Sequence, residues 1–398
     1  MYPAHAKPSC DNLPLDSLPT ELLHEIAAYL SVKDVLSFSR VCKEFNLLSL
    51  DILYKKIHKV KSQCLNTIAY NSRTARAVKT FVLPTQINNQ PDRVCTWLGS
   101  GDSVDVLLPA ESAADVKAAS ILPTLSNLQD LSVPSFSPIY VEALSQCHFP
   151  NFRVLSYAMP ITQPITTFLS RSTTLVSLTF DCYLPFHRNL VPRSIALPEL
   201  RCLSGSPQVI KLFAEHAPLQ NVHIDWKYER AKMGILDEAL SFLAIHCSLT
   251  LQELDVYRNT FRQSTCNTQI LVKISEKLPG ITKLGLNDID ISNRPIVDNA
   301  FSHFKYLESL NMDHHPPNAI RSPRLFSSVE PDYNQDEAMI LSWASDECCP
   351  ALRKCRLPNG IQWSLHGPKL WFPLLSSVPQ RKALLLNASK WCKRRAVC

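Results

Sequence analysis

Glycine is scarce in this chain, with 8 residues among 398 against 29 prolines. That scarcity argues against the glycine-rich turns that cradle phosphates, and neither a P-loop nor a dinucleotide fingerprint occurs. Charge is also thin: 19% of residues are charged and the formal balance is +6. So slight a balance gives no footprint for nucleic acid, which needs a clustered basic face. Long apolar runs are missing too. No stretch of eighteen apolar residues exists, and residues 1–12, MYPAHAKPSCDN, lack the apolar core of a secretory signal. The expectation is a disordered N-terminus over residues 1–12, no membrane partner, and a cytoplasmic and/or nuclear chain. With 45% apolar residues it still has ample material for a core.

Catalytic signatures are missing as well. No G-x-S-x-G elbow and no papain-like setting for a cysteine is present. The 14 cysteines lie at irregular intervals, which in an intracellular chain reads as reduced thiols serving as small apolar side chains. Cys348, Cys349 and Cys355, and Cys392 with Cys398, lack the paired spacing that lets four ligands converge on zinc. His314 and His315 are adjacent and point different ways in most backbones. Cys147–His148 and His246–Cys247 read as packed cysteines beside histidines at helix ends. The sequence thus predicts no metal, no cofactor and no catalytic residue. The expected class is a binding protein; an enzyme would instead show a deep polar pocket of titratable groups.

What the chain does have begins at Leu18. Leu22, Leu23, Ile26, Ala27 and Leu30 recur at helical spacing and put an apolar stripe on a first helix, whose first turn tolerates Pro19. Ser31 is placed to cap a second helix, with Asp34 three residues on and Val35, Leu36 and Phe38 as its apolar positions. A third helix is expected over Val41, Cys42, Phe45 and Leu48, and a fourth, opening near Asp51, over Ile52, Leu53, Tyr54 and Ile57. Four helices this short cannot close a core alone, so the segment must pack on its own body or on a partner.

The order Leu18-Pro19-x-Glu21-Leu22-Leu23, Ile26, Tyr29-Leu30, Asp34-Val35-Leu36, Ser39-x-Val41-Cys42-Lys43 and Leu53-Tyr54 resembles the F-box, with Phe45 where a tryptophan is common. The resemblance implies a helical hook over residues 13–58 that binds a small Skp-type adaptor and, through it, the cullin of a ubiquitin ligase. It further implies that Leu18, Pro19, Leu22, Ile26, Val35, Leu36, Val41 and Cys42 face the adaptor or support that face.

Residues 59–77 read as a helical junction. From about residue 78 a second pattern recurs, a leucine followed by apolar residues three and five positions on. It runs Leu128-Leu131-Val133, Phe152-Leu155-Tyr157, Leu175-Leu178-Phe180, Leu200-Leu203, Leu219-Val222-Ile224, Leu251-Leu254-Val256, Ile281-Leu284-Leu286, Leu307-Leu310-Met312 and Leu352-Cys355-Leu357. Successive starts are 24, 23, 25, 19, 32, 30, 26 and 45 residues apart, with weaker copies at Val78 and Val104. Pro123, Pro150, Pro198, Pro218, Pro279 and Pro350 each come shortly before a first core position. The period resembles that of leucine-rich repeats. The ending Cys348-Cys349-Pro350-Ala351-Leu352-Arg353 through Trp363 resembles the terminal repeats of fungal F-box proteins.

These resemblances imply an α/β fold: a small helical hook, then a curved solenoid over residues 78–375 with a parallel concave sheet and outer helices. A loop insertion is expected around 314–334 and a cap with a basic tail over 376–398. An α/β domain of alternating strands and helices is the alternative that periodicity leaves open. The residues flanking the inward leucines would bind a target protein: Asp181, Asp225, Glu253, Asp255, Tyr257, Lys283, Asn311 and Asp313, with Trp226 as a further aromatic. The combined expectation is the substrate-recognition adaptor of a Skp–cullin–F-box ubiquitin ligase. Its alternative is an F-box/leucine-rich-repeat scaffold acting outside a ligase.

Overall fold

The computed structural model describes residues 18–58, 62–83, 112–134, 137–158, 161–181, 195–226, 233–257, 264–287, 289, 291, 293–312, 333–358, 361–367 and 370–374. Three helices open it: α1 (Thr20–Tyr29), α2 (Val32–Phe38) and α3 (Lys43–Leu53). Ser31 caps α2 as its position predicts. Its hydroxyl accepts from the Asp34 N–H at 3.3 Å and donates to the Asp34 carboxylate at 2.7 Å. The third and fourth expected helices are one. No proline or glycine interrupts residues 43–53, so α3 runs through Asp51 without a break. It begins after Cys42, whose Sγ accepts from the Phe45 N–H at 3.4 Å. Val41 and Cys42 therefore precede the helix, and Ile57 belongs to a strand.

A separate small core holds these helices together: Leu23, Phe45 and Leu48, with Leu18 and Phe38 packed against it. The rings of Phe38 and Phe45 stack with centroids 4.1 Å apart. Buried Ser49 ties the helices by donating to the Phe45 carbonyl at 2.6 Å, with the Val35 carbonyl at 3.4 Å.

Directly after α3 the chain enters a sheet. Among the described residues it has 13 strands, which neighbour one another in chain order. They are β1 (Lys56–Ile57), β2 (Thr80–Val82), β3 (Asp130–Val133), β4 (Val154–Tyr157), β5 (Ser177–Phe180), β6 (Cys202–Gly205) and β7 (Asn221–Asp225), then β8 (Glu253–Tyr257), β9 (Lys283–Leu286), β10 (Ser309–Asn311), β11 (Lys354–Arg356), β12 (Gln362–His366) and β13 (Leu370–Leu374). The sheet is open, and β1 through β11 are parallel. Among the described residues, helices occupy the connections between the parallel strands apart from that between β5 and β6, with α4 (Ser62–Tyr70) and α5 (Ser72–Ala77) filling the first.

The register follows the leucine spacing. Phe81, Leu131, Leu155, Leu178 and Leu203 align across adjacent strands, and the line continues through Val222, Leu254, Leu284, Leu310 and Cys355. None of these side chains is more than 2% exposed. Helix side chains such as Leu236, Leu240 and Leu243 join them in a continuous core that extends from Ile57 to Trp371. Ahead of each strand a single carbonyl takes two N–H groups from the next turn. Gln129 accepts from Arg153 and Val154, Arg153 from Val176 and Ser177, and so on to Glu308 with Arg353 and Lys354. Pairing thus begins at the same step of every unit, which leaves few backbone groups at the turns unsatisfied.

Proline also opens helices here. It stands in the first turn of the helices Pro138–Gln146, Gln163–Arg171, Pro207–Ala214 and Arg294–Phe301, where the missing N–H costs nothing. Gly205 has a steric reason. Ser206 alone separates β6 from the next helix, and a Cβ at Gly205 would lie 3.0 Å from Val209 Cγ1.

The expected all-parallel sheet ends early. β12 pairs antiparallel with β11 and β13 antiparallel with β12, making a terminal hairpin that turns at Gly367, where φ is +69°. Connections this short permit only antiparallel pairing, and a left-handed turn position favours glycine. Residues 1–17, Val104, Asp313, the expected loop residues through Asp332 and the region 375–398 lie outside the described residues, while Tyr333 and Asn334 at the end of the expected loop open a helix.

Candidate functional site

The apolar stripe of α1 is wider than its own core can cover. Leu23 and Ala27, four residues apart, face inward and are buried. Leu22 and Ile26, also four apart but rotated about 100° round the helix, stay 46% and 42% exposed. Pro19 is exposed at the N-cap of α1. Leu36, Val41 and Cys42 are exposed as well, while Val35 is buried beneath them and Leu18 is half-buried against the small core. Of the eight positions that the resemblance implicates, six therefore present a surface and two support it from within. Val32 and Tyr29, the most exposed apolar residues of the hook, fall outside that set of eight. Their signal in the sequence is position alone: Val32 opens α2 and Tyr29 closes α1.

The hook is joined to the sheet without a linker. Only Tyr54 and Lys55 separate α3 from β1. The Lys55 carbonyl accepts the N–H groups of Lys79 and Thr80, both at 3.0 Å, and Lys56 and Ile57 pair with Thr80 and Phe81.

Residues 15–60 match the family described as F-box-like, and no curated protein matches the chain. This stretch is an F-box-like domain. Phe45, at the position where the resemblance leads one to expect tryptophan, lies at the centre of that domain's core, stacked on Phe38. β1 falls inside the matched stretch, so the F-box-like domain contributes the first strand of the large sheet.

The sheet's polar face carries the other expected site. Glu253 and Lys283 are register partners across β8 and β9 and form an ion pair at 3.3 Å. His223 and Asp255 are partners across β7 and β8, with Nδ1 and Oδ2 3.9 Å apart. Asp225 follows two residues after His223 on the same face, half-buried. Asn311, on β10 beside the strand of Lys283, pairs in register with Gly285 on β9 and with Arg356 on β11. Asp181 is exposed past the end of β5, with β6 between it and this group.

The two aromatics expected on this face are placed otherwise. Trp226 is buried, because it shares the parity of Val222 and Ile224 and so points to the helix side; its backbone N–H donates to the Tyr257 carbonyl at 2.8 Å. Tyr257 shares the parity of Glu253 and Asp255 and is nonetheless buried at the strand's end. Neither is a solvent-exposed contact.

The thiols beside histidines are packed. Cys147 donates to the Ala143 carbonyl at 3.1 Å, and burial pushes its thiol up to about 12. Cys247 donates to the Ala214 carbonyl at 3.4 Å and is likewise raised by burial. Thiols held protonated in this way are poor nucleophiles. Among the described residues no group of three His, Cys, Asp or Glu is placed to hold a metal ion, and no helix is long and apolar enough to cross a membrane.

Proposed function

We propose that this chain is the substrate-recognition subunit of a Skp–cullin–F-box ubiquitin ligase. F-box domains typically bind Skp-type adaptors, and the observation that carries the reading is the surface of Pro19, Leu22, Ile26, Leu36, Val41 and Cys42, left in water beside a core of three buried side chains. At about 25 cal/mol per Å², covering a few hundred Å² of apolar surface supplies several kcal/mol before the entropy of association is subtracted.

The body is read as a leucine-rich-repeat solenoid, supported by one strand and one inward leucine row per unit. Its polar face, from His223 and Asp255 through Glu253 and Lys283 to Lys354 and Arg356, is where a target protein would dock. The role requires no covalent step from this chain. Holding a target near the ubiquitin-charged enzyme raises the effective concentration of its lysines. Such a subunit would work in the cytoplasm or nucleus.

The test is recovery of the tagged full chain together with an adaptor and a cullin, followed by measuring turnover of the proteins bound to its body. Co-recovery of both, with slower turnover when Pro19, Ile26 and Leu36 are changed to alanine, is the expected result. Recovery of the adaptor without a cullin would favour a scaffold outside a ligase, and recovery of neither would overturn the proposal.

A further inference from the structure

Strand register sorts the side chains of the sheet's polar face into rows that run across the strands. One row reads Glu253, Lys283, Ser309, Lys354, Ser364 and Phe372 from β8 to β13. The row beside it reads Asp255, Gly285, Asn311, Arg356, Gln362 and Leu374. Charge changes sign along both. On β7 and β8 the outward charges are the carboxylates of Asp225, Glu253 and Asp255, with His223 among them. From β9 to β11 they are Lys283, Lys354 and Arg356, and among the described residues no carboxylate takes an outward position on β9 to β12. The Glu253–Lys283 ion pair marks the boundary. Beyond the basic strands the face turns apolar: Leu370 and Leu374 are exposed on β13, with Phe372 between them and its ring 5.7 Å from that of His366.

We propose that the target held on this face is an extended peptide segment in which a basic, an acidic and an apolar residue follow one another in that order across β8 to β13. The inference rests on the reading of this face as a docking surface and names what the surface selects. The strands set the spacing. β8 and β11 are three strand steps apart, about 14 Å, which an extended chain covers in about four residues; β11 and β13 are two steps apart, about 10 Å or three residues. The two rows lie about 7 Å apart, narrower than a helix, so a single extended chain fits them better. Laid along the rows, the segment puts its lysine or arginine over Asp225 and Asp255, its carboxylate over Lys354 and Arg356, and its apolar side chain over Leu370 and Leu374. Between the charged zones Gly285 has no side chain, which lets another backbone come close to the sheet. Asp225, Asp255 and Arg356 are half-buried, where salt screens them less than at an open surface. A segment of the same composition with its charges exchanged would set like charges together at both zones and be rejected.

The test uses the full chain and fluorescent synthetic peptides, with binding read by anisotropy. Two peptides carry arginine, glutamate and leucine at the stated spacing, one for each chain direction, and each has a control in which arginine and glutamate are exchanged. The expected result is that one ordered peptide binds on the order of tenfold more tightly than its control, the preference fading as salt is raised. Lys354→Glu, at an exposed position, should abolish that preference in a chain whose circular dichroism is unchanged. Equal binding of each ordered peptide and its control, no binding by any peptide, or an unchanged preference in Lys354→Glu overturns the proposal. Adaptor binding, measured on the same preparations, separates this inference from the proposed function, because the hook lies at the other end of the sheet. Absence of the preference in a chain that binds its adaptor overturns this inference alone. A clear preference in a chain that binds no adaptor supports it and overturns the proposed function instead.

Discussion

Leu22 and Leu23 are neighbours of identical chemistry, yet one meets water and the other the hook's core. Leu23→Ala should therefore remove packing at Phe45 and Leu48 and cost about 2–5 kcal/mol, read by denaturant unfolding or by new proteolytic cleavage within residues 18–53. Leu22→Ala should leave the fold unchanged in the same assays. A second prediction concerns Asp237 on the helix Met233–Cys247. Hydrogen bonds from Lys273 at 2.8 Å, and next from Lys277, hold its carboxyl below the ordinary value. A depressed carboxylate stabilises the fold above its unfolded pKa and loses that contribution as pH falls through the folded one. The difference in melting temperature between the native chain and Asp237→Asn should shrink as pH drops below about 4, with a small effect at neutral pH because the cluster is solvated.

At the level of elements, the strands were legible because their side-chain period is two and one row of it is apolar. The leucine spacing anticipates the register from Leu131 to Cys355 step by step. Helix boundaries were less so: periodicity alone splits α3 at Asp51, whereas an uninterrupted run of helix formers keeps it whole. The terminal hairpin carried no leucine pattern, and Pro373 argues against a strand in sequence. In the structure Pro373 lies on β13, the edge strand, where its missing N–H removes no ladder bond to a further neighbour. Trp226 is buried where an exposed contact is expected because it continues the inward parity of Val222 and Ile224, which residue type alone does not reveal. One element offers a steric test: Gly205→Val should push against Val209 and cost about 1–3 kcal/mol in unfolding free energy, while Gly234→Ala, where nothing lies within 4 Å of the added carbon, should be tolerated.

In the whole molecule, the F-box-like domain and the sheet share a backbone ladder through β1, so the hook cannot swing freely on a linker. Strands about 4.8 Å apart carry the polar group on β7 to β9 some 30–40 Å along the sheet from that junction. A partner held at one end and a target held on that face would keep a set separation, as recruitment by proximity requires. The far end is closed by β12 and β13, with Trp363 and Trp371 completing the core. A chain truncated after residue 358 should expose β11 as a new edge and aggregate, seen as loss of the monomer peak in size-exclusion chromatography. The most direct measurement is the affinity of a purified Skp-type adaptor for the full chain and for a Pro19→Ala, Ile26→Ala, Leu36→Ala variant, with circular dichroism matched between the two. The account predicts a loss on the order of a hundredfold, about 2.7 kcal/mol, in a variant that remains folded. Equal affinity of the two chains would contradict it.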